Sequence, residues 1–258
     1  MRRPLALAAI AVVLCAACTR VNDPDAQEAV QKAVDATRQT SAHIGTMLDL
    51  SDGLGTKAQI ATDGNFDMAA DRGRIDVQIV QGQNRGDLIF ADGKVYMRNV
   101  EPEEVDHSWL WSNRDTAQAH YLFRAPNNDP EHTLLQVSKM QSVHSRGKET
   151  VNGIEATRYA GDIDYDTMVL RMAADTRKKL DDAVSEYHGS GRKMPFTAEA
   201  WIDDQGHLVQ ARLAMKDTTT TYAQLTMTLS DLGKPVTVTP PPADQTKVAA
   251  DNPNILTG

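Results

Sequence analysis

Val143-His144-Ser145-Arg146-Gly147-Lys148-Glu149-Thr150-Val151-Asn152-Gly153-Ile154-Glu155-Ala156-Thr157-Arg158-Tyr159-Ala160-Gly161-Asp162 is the stretch that decides the fold. Two segments of strand length flank Asn152-Gly153, a pair that tolerates positive φ at both central positions of a type I′ turn. A two-residue connection can join only antiparallel neighbours, because a parallel pair needs a crossover of a dozen or more residues. The pattern recurs upstream. From Ser41, Ile44, Thr46, Leu48 and Leu50 alternate with His43, Gly45, Met47 and Asp49. After the Ser51-Asp52-Gly53-Leu54-Gly55 turn, Ala58, Ile60, Thr62, Gly64 and Phe66 alternate again, and Ile75, Val77 and Ile79 follow within 74–81. Residues 87–91 and 94–98 flank a second hairpin dipeptide, Asp92-Gly93. Downstream, 195–202 and 208–215 flank Asp203-Asp204-Gln205-Gly206, 219–229 carries the alternation onward, and after 236–238 Pro240-Pro241-Pro242 starts an extended tail. Strands joined by tight turns make an antiparallel meander.

Four segments have helical period. Asp23 as N-cap and Pro24 at the first position start one over 24–38, with Ala26, Val30, Ala33, Val34 and Thr37 on one face. Short helices are expected at 115–123 and 130–140, separated by Ala125-Pro126-Asn127-Asn128-Asp129-Pro130. A longer one is expected over 166–188, its apolar stripe including Val169, Met172, Ala173, Thr176 and Leu180. The fold class is therefore α+β: a large curved antiparallel sheet of nine or ten strands, a half-barrel, with helices covering its concave face. A sheet that large curls, and its apolar face needs a cover. Between the layers a cavity can persist.

The residues expected to line that cavity are Leu48, Ile60, Val77, Ile79, Met172, Ala211, Leu213, Leu225 and Met227. Methionine adapts its shape and alanine leaves volume, and both are frequent at core-facing positions here, which suits flexible acyl chains as contents. Small residues that merely let helices pack closely on the sheet explain the same composition equally well.

Chemistry-bearing patterns are few. The seven histidines show no HExxH, HxH or HxxxH spacing, so no metal site and no cofactor is expected. Ser190-Gly191-Arg192-Lys193 matches S-x-x-K but lies in a glycine-rich linker without the companion motifs of penicillin-recognising enzymes. Asp162, Asp164 and Asp166 lack the glycine and distal glutamate of a calcium loop and read as acidic caps at a helix start. Trp109 and Trp111 read as packing residues before a sugar- or lipid-stacking platform. No catalytic residue is assigned, and the chain is expected not to be an enzyme.

The first residues set the compartment. Arg2 and Arg3 precede an apolar run over 5–17 that is too short to span a bilayer and ends in Ala16-Ala17 before Cys18. That junction resembles a bacterial lipobox, whose cysteine is acylated after cleavage, although Cys15 stands at −3, where leucine is usual. A signal peptide cut without lipidation is the alternative. Loss of residues 1–17 takes the net charge from −8 to −10 and leaves Cys18 as the one cysteine, so the body has no disulfide and no thiol nucleophile. An acidic exported body disfavours nucleic acid and basic adhesion to anionic lipid, leaving acyl chains as the hold on the membrane.

Several segments taken together resemble a known family. Val151-Asn152-Gly153-Ile154-Glu155-Ala156-Thr157-Arg158-Tyr159, Trp201-Ile202-Asp203-Asp204 and Leu229-Ser230-Asp231-Leu232-Gly233-Lys234-Pro235-Val236 are similar to segments of the LppX/LprG-type envelope lipoproteins of actinobacteria, which share an architecture with the LolA lipoprotein carriers. The resemblance implies a half-barrel that binds acylated lipid or glycolipid and moves or presents it in the envelope; it supplies no ligand-binding motif residue. The expected layout is a signal peptide at 1–17, a lipidated tether at 18–23, the domain at 24–240 and an extended tail at 241–258. The expected site is the extracytoplasmic side of the plasma membrane, anchored through Cys18, with an acylated lipid or glycolipid as ligand. The rival expectation is an interaction lipoprotein with a filled core and a protein partner.

Overall fold

The computed structural model describes residues 23–51, 57–100, 108–189, 196–216, 221–249 and 256. Cys18, the signal segment and Ser190-Gly191-Arg192-Lys193 lie outside them. The described residues form one twelve-stranded sheet. Its strands are β1 (Ser41–Ser51), β2 (Lys57–Asp67), β3 (Arg72–Ile79), β4 (Arg85–Ala91), β5 (Lys94–Asn99), β6 (Trp109–Asn113), β7 (Gln141–Val151), β8 (Ile154–Asp162), β9 (Phe196–Asp203), β10 (Leu208–Lys216), β11 (Thr221–Ser230) and β12 (Thr246–Val248). Their order is β12-β6-β5-β4-β3-β2-β1-β11-β10-β9-β8-β7, so the sheet is open, with edges at β12 and β7. Two meanders are thus joined through β1 and β11, which pair antiparallel from His43 with Ser230 to Leu50 with Ala223.

The turns obey local chemistry. Asn152 and Gly153 have φ of 50° and 82°, and Asp92 and Gly93 have 55° and 71°, as a type I′ hairpin requires. α1 (Pro24–Thr37) starts as expected, with the Asp23 carboxylate accepting from the Ala26 N–H at 3.2 Å, and buries Ala26, Val30, Ala33, Val34 and Thr37. α2 (Pro130–Ser138) is capped by Asp129. α1 packs on β7 and α2 and also touches β9 and β10, and α2 reaches β9. The helices therefore cover the β7–β10 half of the concave face.

Three expectations need correction. No helix forms over 115–123, and the helix expected over 166–188 is two: α3 (Tyr165–Met168) and α4 (Ala174–Gly189). Both changes have one cause. The Ala119 N–H donates to the Arg171 carbonyl and the Ala173 N–H to the Ala119 carbonyl, each at 2.8 Å, so the two segments spend their backbone groups on each other. The Arg171 guanidinium also donates to the Arg114 and Ala117 carbonyls, and its own backbone adopts a φ of 55°. Val169, Met172 and Ala173 are buried in this link, whereas none of the described α4 side chains is buried. Asp164 does cap α3, accepting from the Thr167 N–H at 2.7 Å, and the Thr167 hydroxyl together with this N–H holds its carboxyl below the usual carboxylate range.

The third correction concerns the tail expected over 241–258. Thr246–Val248 runs parallel to β6, and Leu256 is 1% exposed within the main core. The expected extended tail is therefore tied down at two points. Trp109 packs with Ile89, Ala91 and Tyr96 in a small outer cluster, Trp111 and Val238 lean on it, and Arg98 lies 4.6 Å over the Trp109 ring.

Candidate functional site

Strand register decides what the concave face presents. Ile79 pairs with Ile60, Ile60 with Leu48, Leu48 with Leu225, and Leu225 with Leu213, which pairs with Ala198. One row thus crosses six strands. Beside it, Val77 pairs with Thr62, Thr62 with Thr46, Thr46 with Met227, and Met227 with Ala211, which pairs with Ala200. Eight of the nine side chains expected to line a cavity fall in these two adjacent rows: Leu48, Ile60, Val77, Ile79, Ala211, Leu213, Leu225 and Met227. Met172 does not; it sits in the 169–173 link beside Ala119. The rows alternate with an outer face, as period-two geometry demands.

Where the rows cross β1, β2 and β11 the cover is the irregular 123–128 segment and the first turn of α2. Phe123, Arg124, Ala125, Asn128, Pro130 and Thr133 lie over Thr46, Leu48, Ile60, Thr62 and Leu225. The space between them is an inner cavity of about 20 Å³, room for about one water molecule. Phe123, Asn127 and Asn128 have φ of 61°, 51° and 56°, a left-handed conformation that is unfavourable for a bulky residue such as Phe. Such outliers persist only where the surroundings impose them, and they gather at ligand clamps and switches.

Two buried cations hold this roof. Arg114, 6% exposed, donates to both carboxylate oxygens of Asp129 at 2.7 and 2.8 Å, also contacts Asp71, and lies 5.2 and 5.5 Å from the Phe66 and Phe90 rings. Burial works against its charge, but the Asp129 bonds outweigh burial and its pKa rises. Asp129 therefore caps α2 and fixes Arg114 at once. Arg124, also 6% exposed, donates to Asn128 Oδ1 at 2.5 Å and to the Leu256 carbonyl at 3.4 Å. Burial pulls its pKa down to about 10. His132, one turn into α2, is pushed down to about 4 by burial, with Asp129 opposing and Arg171 assisting.

Larger clefts open on the opposite, polar face. One of about 370 Å³ is bordered by His144, Arg158, Thr197 and Glu199, and one of about 350 Å³ by Asp63, Asp76, Arg85 and Asp87. Burial and the neighbouring Asp87 raise the Asp76 pKa, with Arg74 opposing. Among the described residues no group of three or more His, Cys, Asp or Glu side chains is arranged to hold a metal, and no helix is long and apolar enough to cross a membrane. Arg114, Arg124 and Asn128 carried no recognisable signal in the sequence; polar residues in an irregular segment give no periodic sign of burial.

Comparison with known proteins places these features in a family. A lipoarabinomannan carrier protein LprG from Mycolicibacterium smegmatis is 29% identical over 247 residues, covering 93% of this chain and 94% of its own. Another protein of that name, from Mycolicibacterium hassiacum, is 30% identical over 248 residues, covering 90% and 94%. The crystal structure of LprF from Mycobacterium bovis superposes with a TM-score of 0.50 at 14% identity, over 85% of this chain and 98% of that one, a likeness of fold. The sequence pattern of the LppX_LprAFG lipoproteins matches residues 25–238, and with the open half-barrel and the shared length of its relatives, the chain belongs to the LppX_LprAFG lipoprotein family.

Proposed function

We propose that this protein is a non-enzymatic carrier of an acylated lipid or glycolipid in the cell envelope, held on the extracytoplasmic side of the plasma membrane by acyl chains on Cys18. The observation that carries the reading is the apolar row of Ile79, Ile60, Leu48, Leu225, Leu213 and Ala198 crossing six strands, roofed over β1, β2 and β11 by the irregular, left-handed 123–128 backbone and the start of α2. Acyl chains laid along Ile79, Ile60, Leu48, Leu225 and Leu213 leave water at about 25 cal/mol per Å² of apolar surface. The roof over 123–128 carries only a three-residue 3₁₀ turn (Pro126–Asn128), so lifting it breaks little regular secondary structure. The names of the LprG relatives support a lipoglycan or a related acylated glycolipid as cargo.

The closed interior favours a second reading, an interaction lipoprotein with a filled core. A cavity of about 20 Å³ is far below the several hundred Å³ that a ligand site offers. Leu225→Trp separates the two. It fills the cavity that Leu225 borders, and overpacking costs about 1–3 kcal/mol without abolishing the fold. The body is expressed in an actinobacterial host and extracted with organic solvent. A carrier yields bound lipid as wild type and several-fold less as the variant. Equal yields, or none from either, support the interaction protein.

A further inference from the structure

Among the described residues, the roof holds a cation without a counter-ion. Arg124 forms no ion pair among the described residues, its Nη1 has no hydrogen-bond partner, and its side chain borders the inner cavity. A buried charge is normally matched by an opposite one, because taking it out of water costs several kcal/mol. Its Nη2 and the Asn128 Nδ2 converge instead on a single oxygen, the Leu256 carbonyl, at 3.4 and 2.7 Å. The Leu256 side chain lies in the core beside Gly86, where an added Cβ would stand 3.7 Å from Leu256 Cδ1. A neutral carbonyl thus occupies a position built from a fixed guanidinium and an amide, and an anionic oxygen would bond there more strongly. The planar fork of arginine matches phosphate, and Asn128 is held beside it by the bond its Oδ1 accepts from Arg124 Nη2 at 2.5 Å.

We propose that Arg124 and Asn128 are the anchor for the phosphate of an acylated lipid, and that the Leu256 carbonyl holds this anchor when no lipid is bound. The inference rests on the carrier reading above and adds the polar end of the cargo. The acyl chains extend from the anchor along the rows at Leu48, Ile60 and Leu225, which border the same cavity.

The test uses the mature chain from residue 18 with Cys18→Ser, mixed with vesicles of digalactosyldiacylglycerol, a bilayer lipid without phosphate that does not compete for the anchor. The vesicles carry a labelled trace of either dioleoylphosphatidic acid or dioleoylglycerol, which have the same chains with and without phosphate. After sedimentation, lipid retained by the protein is counted. Wild type is expected to retain at least about 10-fold more phosphatidic acid, the effect of one or two charge-assisted bonds. Arg124→Met brings the ratio to about one and leaves dioleoylglycerol unchanged. Asn128→Asp does the same by giving the guanidinium an internal carboxylate, and it keeps the fold should Arg124→Met not. Leu256→Ser, which weakens the competing contact, raises phosphatidic acid retention several-fold. Equal retention of the two lipids by wild type, or a ratio unmoved by both anchor variants, overturns the anchor alone. Retention of neither lipid by wild type and Leu256→Ser overturns the carrier reading itself. A melting shift with inorganic phosphate that Arg124→Met abolishes, without preference for phosphatidic acid, assigns the anchor to free anion and overturns the lipid source.

Discussion

Replacing Asp129 with Ala should be among the most damaging single changes to this protein. The Asp129 carboxylate is 3% exposed, takes two bonds from buried Arg114, and accepts the Glu131 N–H at 3.0 Å as the cap of α2. Removing one partner of a buried ion pair strands the other charge, at about 3–5 kcal/mol, and a lost cap adds about 1. The surviving contact of Arg114 with half-exposed Asp71 returns part of this. The expected loss is about 4 kcal/mol, a large share of the ~5–15 kcal/mol that holds a typical domain. Asp129→Asn keeps the cap and one acceptor and should lose about 2 kcal/mol. The double variant Arg114→Met/Asp129→Asn strands no charge and should lie within about 2 kcal/mol of wild type, since apolar replacement of a buried pair is often neutral. Urea unfolding followed by circular dichroism measures all of these. If Asp129→Ala loses less than 1 kcal/mol, or the double variant equals the sum of its singles, the pair does not organise the roof.

Cys18→Ala should leave the chain unlipidated and move it from the membrane to the medium, or leave it uncleaved. Stable attachment needs two or more acyl chains at ~0.8 kcal/mol per buried CH₂, and unchanged membrane fractionation would contradict the anchor. Gly153→Val should destabilise the hairpin by about 1–3 kcal/mol through backbone strain alone, because φ is 82° and a Cβ there meets nothing within 4 Å; an unaltered melting temperature would refute this. His132 has a lower pKa folded than unfolded, so the unfolded chain takes up the proton first. Stability should therefore fall by up to about 3 kcal/mol as pH drops from about 6.5 to about 4, and His132→Gln should flatten that window in urea titrations at several pH values.

What the sequence determined by itself is local. Period-two alternation, Asn152-Gly153, Asp92-Gly93 and the Asp23-Pro24 cap each act within a few residues, so strands, hairpins and α1 follow from neighbours in the chain. The alternation also assigned Leu48, Ile60, Val77, Ile79, Ala211, Leu213, Leu225 and Met227 to buried faces, because a strand shows the same face every second residue. Whether those faces met was a question of register between strands far apart, and the pairing of Leu48 with Leu225 was decided only by the docking of β1 on β11. Helical periodicity over 115–123 and 166–188 gave way because Ala119 and the 171–173 backbone bonded each other, a long-range exchange of hydrogen bonds that no local pattern records. The tail was misjudged for the same reason. One leucine, Leu256, finds an apolar socket beside Gly86 and a guanidinium for its carbonyl, and burial of one side chain in a cavity made by others is a property of the tertiary structure alone.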